Sequence, residues 1–284
     1  MSFRSPAWFA GAALVALALA GCNKLKLGYE YADWLLVYSV EDNFDLDKPQ
    51  RSVLKEEVDA YFHWHRKQML PAYAEFLTYL ADSVRNGLRP SEVDSGFQRF
   101  KKLYRSTLQP IPEKSLGLLL SLTPEQVDAW LERQRKKNAK LRRDFSGSLE
   151  ERLTHRYQKI VDEMEDWTGR LTQEQKTKIK ALNRTLPWTG FHWLEMRERF
   201  QTHMAELLKK KASKDEVRAT LNLYLLDNDS LKSEEYRAKT KEFDIRLRTL
   251  IHSVHSVLTT EQKRHFLRHV EKTARDFQTL SLQN

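Results

Sequence analysis

The chain has 284 residues, 48 Lys and Arg against 39 Asp and Glu, a net charge of +9 and a single Cys. With 40% hydrophobic residues it has material for one large domain or two small ones, which excludes a disordered chain and a disulfide-stapled scaffold. One Cys also excludes a paired-cysteine redox motif and a Cys-based zinc site.

Met1 to Cys22 read as an address. Arg4 supplies a positive start, and residues 7–20, AWFAGAALVALALA, form an apolar stretch shorter than the roughly 20 residues a membrane-spanning helix needs. The stretch ends in Leu19-Ala20-Gly21-Cys22, which resembles the bacterial lipobox. That resemblance implies cleavage before Cys22, lipid on its sulfur and acylation of the new amine, so the partner is a membrane reached through acyl chains on Cys22. The expected organisation is a signal peptide over 1–21, the lipidated Cys and a short tether over 22–28, and an all-helical domain over 29–284. Asn23, where an Asp would imply retention at the inner membrane, implies the periplasmic face of the outer membrane of a Gram-negative bacterium. Nucleic acid is not an expected partner there.

Beyond the tether, apolar residues recur at spacings of three and four rather than two, which predicts helices throughout. They are expected near 29–41, 49–86, 91–107, 113–120, 124–145, 149–168, 173–185, 188–211, 214–226, 231–257 and 260–280. The fold class is all-α, an elongated bundle of about ten helices. Pro71 should kink the second of these helices or mark its break. Residues 109–115, QPIPEKS, are the candidate hinge.

Helix-start signals repeat. Leu122-Thr123-Pro124-Glu125-Gln126, Leu171-Thr172-Gln173-Glu174-Gln175 and Leu258-Thr259-Thr260-Glu261-Gln262 share one pattern, and Leu46-Asp47-Lys48-Pro49-Gln50 is its Asp variant. Each reads as a capping box. Asp47, Thr123, Thr172 or Thr259 accepts from a first-turn N–H, and Gln50, Gln126, Gln175 or Gln262 reaches back to the cap. Ser148 with Glu151 and Ser213 with Glu216 are further boxes. The copies are unevenly spaced, which excludes a fixed-period solenoid.

Several stretches together carry a resemblance. The lipobox is followed by LGYEYADWLL, NFDLDKPQ and WHRKQMLPAYAEFL, then SLTPEQ, EDWTGRLTQEQ and LTTEQKRHFLRHVEKTARDF. This resembles a family of uncharacterised proteobacterial lipoproteins classified only as a domain of unknown function. Trp64-His65-Arg66 with Leu70-Pro71-Ala72-Tyr73 is the most specific block. The L-T-x-x-Q starts also resemble those of Spy- and CpxP-type periplasmic chaperones, which implies a helical cradle that binds unfolded envelope proteins without ATP.

The residues that could carry chemistry are few. Arg133, Arg135, Lys136, Lys137, Lys140, Arg142 and Arg143 form a basic run that would cover most of a helix circumference. The expectation is a helix projecting into solvent, able to touch an anionic surface. His252 with His255, and His265 with His269, share helix faces and are the metal candidates, although no acidic ligand stands beside either pair. Neither a cofactor nor a catalytic residue is expected, because no nucleophile elbow, P-loop or dinucleotide fingerprint occurs. Tyr29, Tyr31, Trp34, Leu35 and Tyr38 are expected to pack inward, with insertion into a membrane interface as the alternative. The function expected is a non-enzymatic, chaperone-like binding protein for unfolded or folded envelope proteins. A scaffold for one folded partner, a metal-responsive helical protein and a cell-wall hydrolase are the alternatives.

Overall fold

The computed structural model describes residues 22–283, with side chains from Lys26 onward. Residues 1–21, the expected signal peptide, and the side chain of Cys22, the expected lipidation site, lie outside the described residues. Thirteen α-helices and no strand occur among them.

The chain begins with α1 (Cys22–Glu30) and α2 (Ala32–Phe44). The segment expected as a tether is thus helical, and its Lys26 pairs with Asp276 at 3.5 Å. Next come α3 (Lys48–Trp64), a π-helical turn (His65–Met69) and α4 (Leu70–Arg85). The expected single helix over 49–86 is therefore interrupted at Pro71. A proline ring in a regular helix removes one N–H and collides with the carbonyl four residues back. Here the Leu70 N–H bonds to the His65 carbonyl, five residues back. The widened turn makes room for the ring, so the chain continues along one path.

Then follow α5 (Pro90–Leu108) and α6 (Ile111–Ser121). Gln109 and Pro110, within the candidate hinge, hold right-handed helical torsions. Pro112 and Leu108 are buried on either side. After them come α7 (Pro124–Phe145), α8 (Leu149–Thr168), α9 (Gln173–Thr185), α10 (Gly190–Lys209) and α11 (Lys214–Leu226). A short 3₁₀ turn (Asn228–Leu231) leads to α12 (Glu234–His255), which starts later than expected because Ser233 caps it. The last helix is α13 (Thr260–Leu282).

Three apolar clusters hold these helices. The largest joins α1–α4, α6, α13 and the facing ends of α10 and α11, around Leu70, Leu116, Val217 and Leu280, all nearly sealed from solvent. A second, around Leu194, joins the end of α7 to α10 and α11. A third, around Ile179 and Leu250, joins α8, α9 and the end of α12.

The four Thr/Asp–Gln starts do more than cap. Each Gln oxygen accepts from its own cap N–H, at 2.8–3.0 Å. Each Gln amide then crosses to another helix start. Gln50 and Gln126 exchange bonds of 3.0 and 2.7 Å, and Gln175 and Gln262 exchange bonds of 2.7 and 2.9 Å. The same amides donate to Ser121 O, Asp45 O, Val257 O and Arg170 O. Two helix starts thus clasp each other twice over, with the amides satisfied at both ends.

The basic run corrects an expectation. Its helix, α7, does not project into solvent but packs against α2 and α10. Gln134 and Asn138 are buried beneath it. Arg197 of α10, 4% exposed, donates from Nε to Asn138 Oδ1 at 3.0 Å and from an η nitrogen to Gln134 Oε1 at 2.9 Å. The Gln201 amide closes this group, 2.7 Å from Asn138 and 3.2 Å from Gln134. A seam of amides and one guanidinium buries as well as an apolar stripe when every donor is met, and it leaves no apolar periodicity. Above the seam, Arg133 binds Asp45 and Asn43 O, Lys137 binds Asn43 Oδ1, and Arg142 binds Glu198.

Candidate functional site

A cavity of about 1400 Å³ lies where the three clusters leave space between α4, α5, α8, α12 and α13. Apolar side chains dominate its lining: Phe76, Leu80 and Val84 from α4, Val93, Phe97 and Phe100 from α5, Ile160, Met164 and Trp167 from α8, and Phe243, Ile251 and Val254 from α12. Phe100 and Ile245 stand at its mouth, 37% and 48% exposed. The volume exceeds the ordinary range for small-molecule sites, about 300–1,000 Å³.

The helices α5 and α12 form one wall. Lys101 pairs with Asp244 at 2.5 Å and Arg248 with Asp94 at 2.8 Å. Rising numbers on one helix meet falling numbers on the other, so the two run antiparallel. The Arg248 guanidinium also sits 5.8 Å over the Phe97 ring. Arg105, Arg237 and Lys241 add cationic side chains to the lining.

His255 supplies the one orphaned polar atom of the lining. It is 7% exposed, and its Nε2 has no hydrogen-bond partner. Burial pushes its pKa down to about 4, with Lys263 and His252 adding to the effect. The ring is therefore neutral at pH 7, and its Nε2, sealed from solvent, keeps a bonding site unfilled beside the cavity. The other candidate histidines do different work. The His265 Nδ1 lies 3.1 Å from Trp167 O, and the His269 ring lies 4.6 Å from the Trp167 ring. His265 thus holds the Trp167 backbone, and His269 lies against the indole that lines the cavity. Burial also lowers the His269 pKa. His252 sits part-exposed one turn before His255. Among the described residues no group of three or more His, Cys, Asp or Glu could hold a metal ion.

Two of the lining carboxylates, Asp229 and Glu92, are held as anions. Asp229 bonds Lys232 at 2.6 Å, which lowers its pKa. Glu92 bonds Arg89, with the same effect. Such groups are poor general acids near neutral pH.

The basic run meets a second, smaller hollow of about 580 Å³ between α7 and α10, where Arg135, Arg142 and Arg143 converge over Asn138 and Gln201. Lys136 and Lys140 remain exposed on the same helix.

His65 is a second buried histidine, 1% exposed at the start of the π turn. Tyr29 Oη lies 3.0 Å from its Nδ1 and Tyr73 Oη 3.2 Å from its Nε2. The chain of bonds runs on from Tyr73 to Thr107 Oγ1 at 2.5 Å and to Leu103 O at 2.9 Å. Burial pushes its pKa down to about 4.

Sequence reasoning missed the cavity. Its lining comes from several helices, each contributing ordinary apolar positions. Only the excess of aromatic residues on α4 and α5, at Phe76, Phe97 and Phe100, marked it. A family model described as "Family of unknown function (DUF6279)" matches residues 42–237, which takes in Trp64-His65-Arg66 and Leu70-Pro71-Ala72-Tyr73 but stops before His255. No curated protein and no solved structure matches the chain.

Proposed function

This chain belongs to the DUF6279 family, a family of unknown function, and from that premise we propose that it is a non-enzymatic binding protein of the bacterial envelope. It is held at the periplasmic face of the outer membrane through lipid on Cys22, and it shelters an apolar segment of an unfolded or transiting envelope protein. The cavity of about 1400 Å³, apolar inside and open at Phe100 and Ile245, is the observation that carries this reading. Cations around the lining, Arg105, Arg237 and Lys241, would speed capture of acidic clients. The L-T-x-x-Q resemblance to Spy- and CpxP-type chaperones carries no part of it, because the motif glutamines are spent on clasping helix starts.

The full chain in vesicles, mixed with a denatured envelope protein, tests this. It should suppress aggregation at equal ratio, and less so as salt rises. Phe100→Glu with Ile245→Glu should raise the concentration needed roughly tenfold, since each buries a partly exposed apolar side chain against the client. Suppression unchanged by the double variant, or absent for several clients, would sink the reading and favour a scaffold for one folded partner.

A further inference from the structure

The fold uses only one face of α1 and α2. Tyr29 and Ala32 are buried, and Leu36, Val37, Val40 and Phe44 pack against the largest cluster. On the other face stand Leu27, Tyr31, Trp34, Leu35 and Tyr38, each between 48% and 60% exposed. Their spacing of four, three, one and three places them on one stripe about 16 Å long. The stripe crosses the junction of the two helices at Tyr31, whose carbonyl accepts the first bond of α2, from the Leu35 N–H at 2.9 Å. Trp34 and Tyr38 stack with ring centres 5.7 Å apart. Of the side chains the sequence predicts to pack inward, Tyr29 does so, whereas Tyr31, Trp34, Leu35 and Tyr38 do not, and the core takes their neighbours instead.

We infer that this stripe lies in the lipid–water interface of the membrane that anchors the chain. Three observations choose that occupant. The stripe is built of Trp and Tyr beside Leu, the residues whose rings suit a boundary that is apolar on one side and wet on the other. It begins five residues after Cys22, the expected lipid site, within the helix that starts there. Its exposed area, roughly 500 Å², is in the range of functional patches but below the ~800 Å² per partner of a stable dimer. Glu30 stands exposed at its edge, and Lys26 is already engaged by Asp276. Attraction to anionic lipid therefore contributes little, and apolar burial holds the stripe in place. The body is thus fixed in orientation as well as tethered.

The inference rests on anchoring at Cys22, and the test separates the two. The full chain is reconstituted in phosphatidylcholine–phosphatidylethanolamine vesicles with brominated acyl chains, floated, and compared with Trp34→Phe. The difference in emission isolates Trp34 from the other tryptophans. Trp34 is exposed, so the variant should keep the wild-type melting temperature. The expected result is that the Trp34 share loses most of its intensity to bromine, is shielded from aqueous iodide, and is unaffected by added salt. A floated chain whose Trp34 is quenched by iodide overturns the inference and leaves the anchor standing. Shielding from iodide without bromine quenching also overturns it, because a second copy then covers the stripe. A chain that does not float overturns both.

Discussion

Two buried histidines in this molecule have the same charge and opposite surroundings. His65, in the core beside Pro71, is bonded at both ring nitrogens. His255, at the wall of the cavity, leaves Nε2 without a partner. Burial holds both neutral, each with its pKa near 4. Burial alone therefore does not tell a histidine woven into a hydrogen-bond chain from one left unpaired at a cavity wall. What separates them is the neighbourhood: two tyrosine hydroxyls in one case, no polar partner in the other.

The largest expected break in that comparison is His65→Ala. It opens a void in the largest cluster and takes one hydrogen-bond partner from each of the hydroxyls of Tyr29 and Tyr73, the latter keeping Thr107. The expected cost is about 4 kcal/mol, read as a lower denaturation midpoint at pH 7. Activity in the aggregation assay should survive in whatever fraction remains folded.

Acid should act on both histidines alike. Unfolded imidazoles titrate near 6.5 and these near 4. Between those values the unfolded chain binds protons that the native chain refuses. Stability present above pH 6.5 is therefore lost as pH falls, by about 3 kcal/mol per histidine at pH 4. Thermal melts from pH 7 to 4 should show this slope. A flat profile would mean that neither ring is buried as described.

The smallest expected effect sharpens the contrast most. His255→Leu removes an orphaned polar atom from an apolar wall, so stability at pH 7 should shift by less than about 1 kcal/mol in either direction. The same variant should remove the His255 share of the acid slope and leave the His65 share. A loss as large as that of His65→Ala would show that His255 Nε2 is bonded after all.

Much of the fold was legible because helices declare themselves locally. Thr123, Thr172 and Thr259 mark helix starts by a hydroxyl and a Gln three residues on, and nothing distant is needed to see them. Their pairing was not legible. That Gln50 meets Gln126, and Gln175 meets Gln262, depends on how the chain returns on itself. The α7 seam was hidden for a different reason. Gln134, Asn138 and Arg197 read as solvent-facing residues because burial by mutual hydrogen bonding leaves no hydrophobic pattern. The cavity was hidden most deeply, since a space is defined by side chains that fail to fill it, and each of those side chains looks like core.

The paired glutamines also shape the chain as a polymer. Each clasp ties two points far apart in sequence, with separations of 76 for Gln50–Gln126 and 87 for Gln175–Gln262. The entropy of closing a ring grows only with the logarithm of its length, so the two cost the same to within about 0.2 kcal/mol. The molecule is therefore two rings of nearly equal size joined by a connector, residues 127–174. Neither ring contains the other's tie points, so each can close without waiting for the other. A cut at Gly147, inside the connector, would open neither.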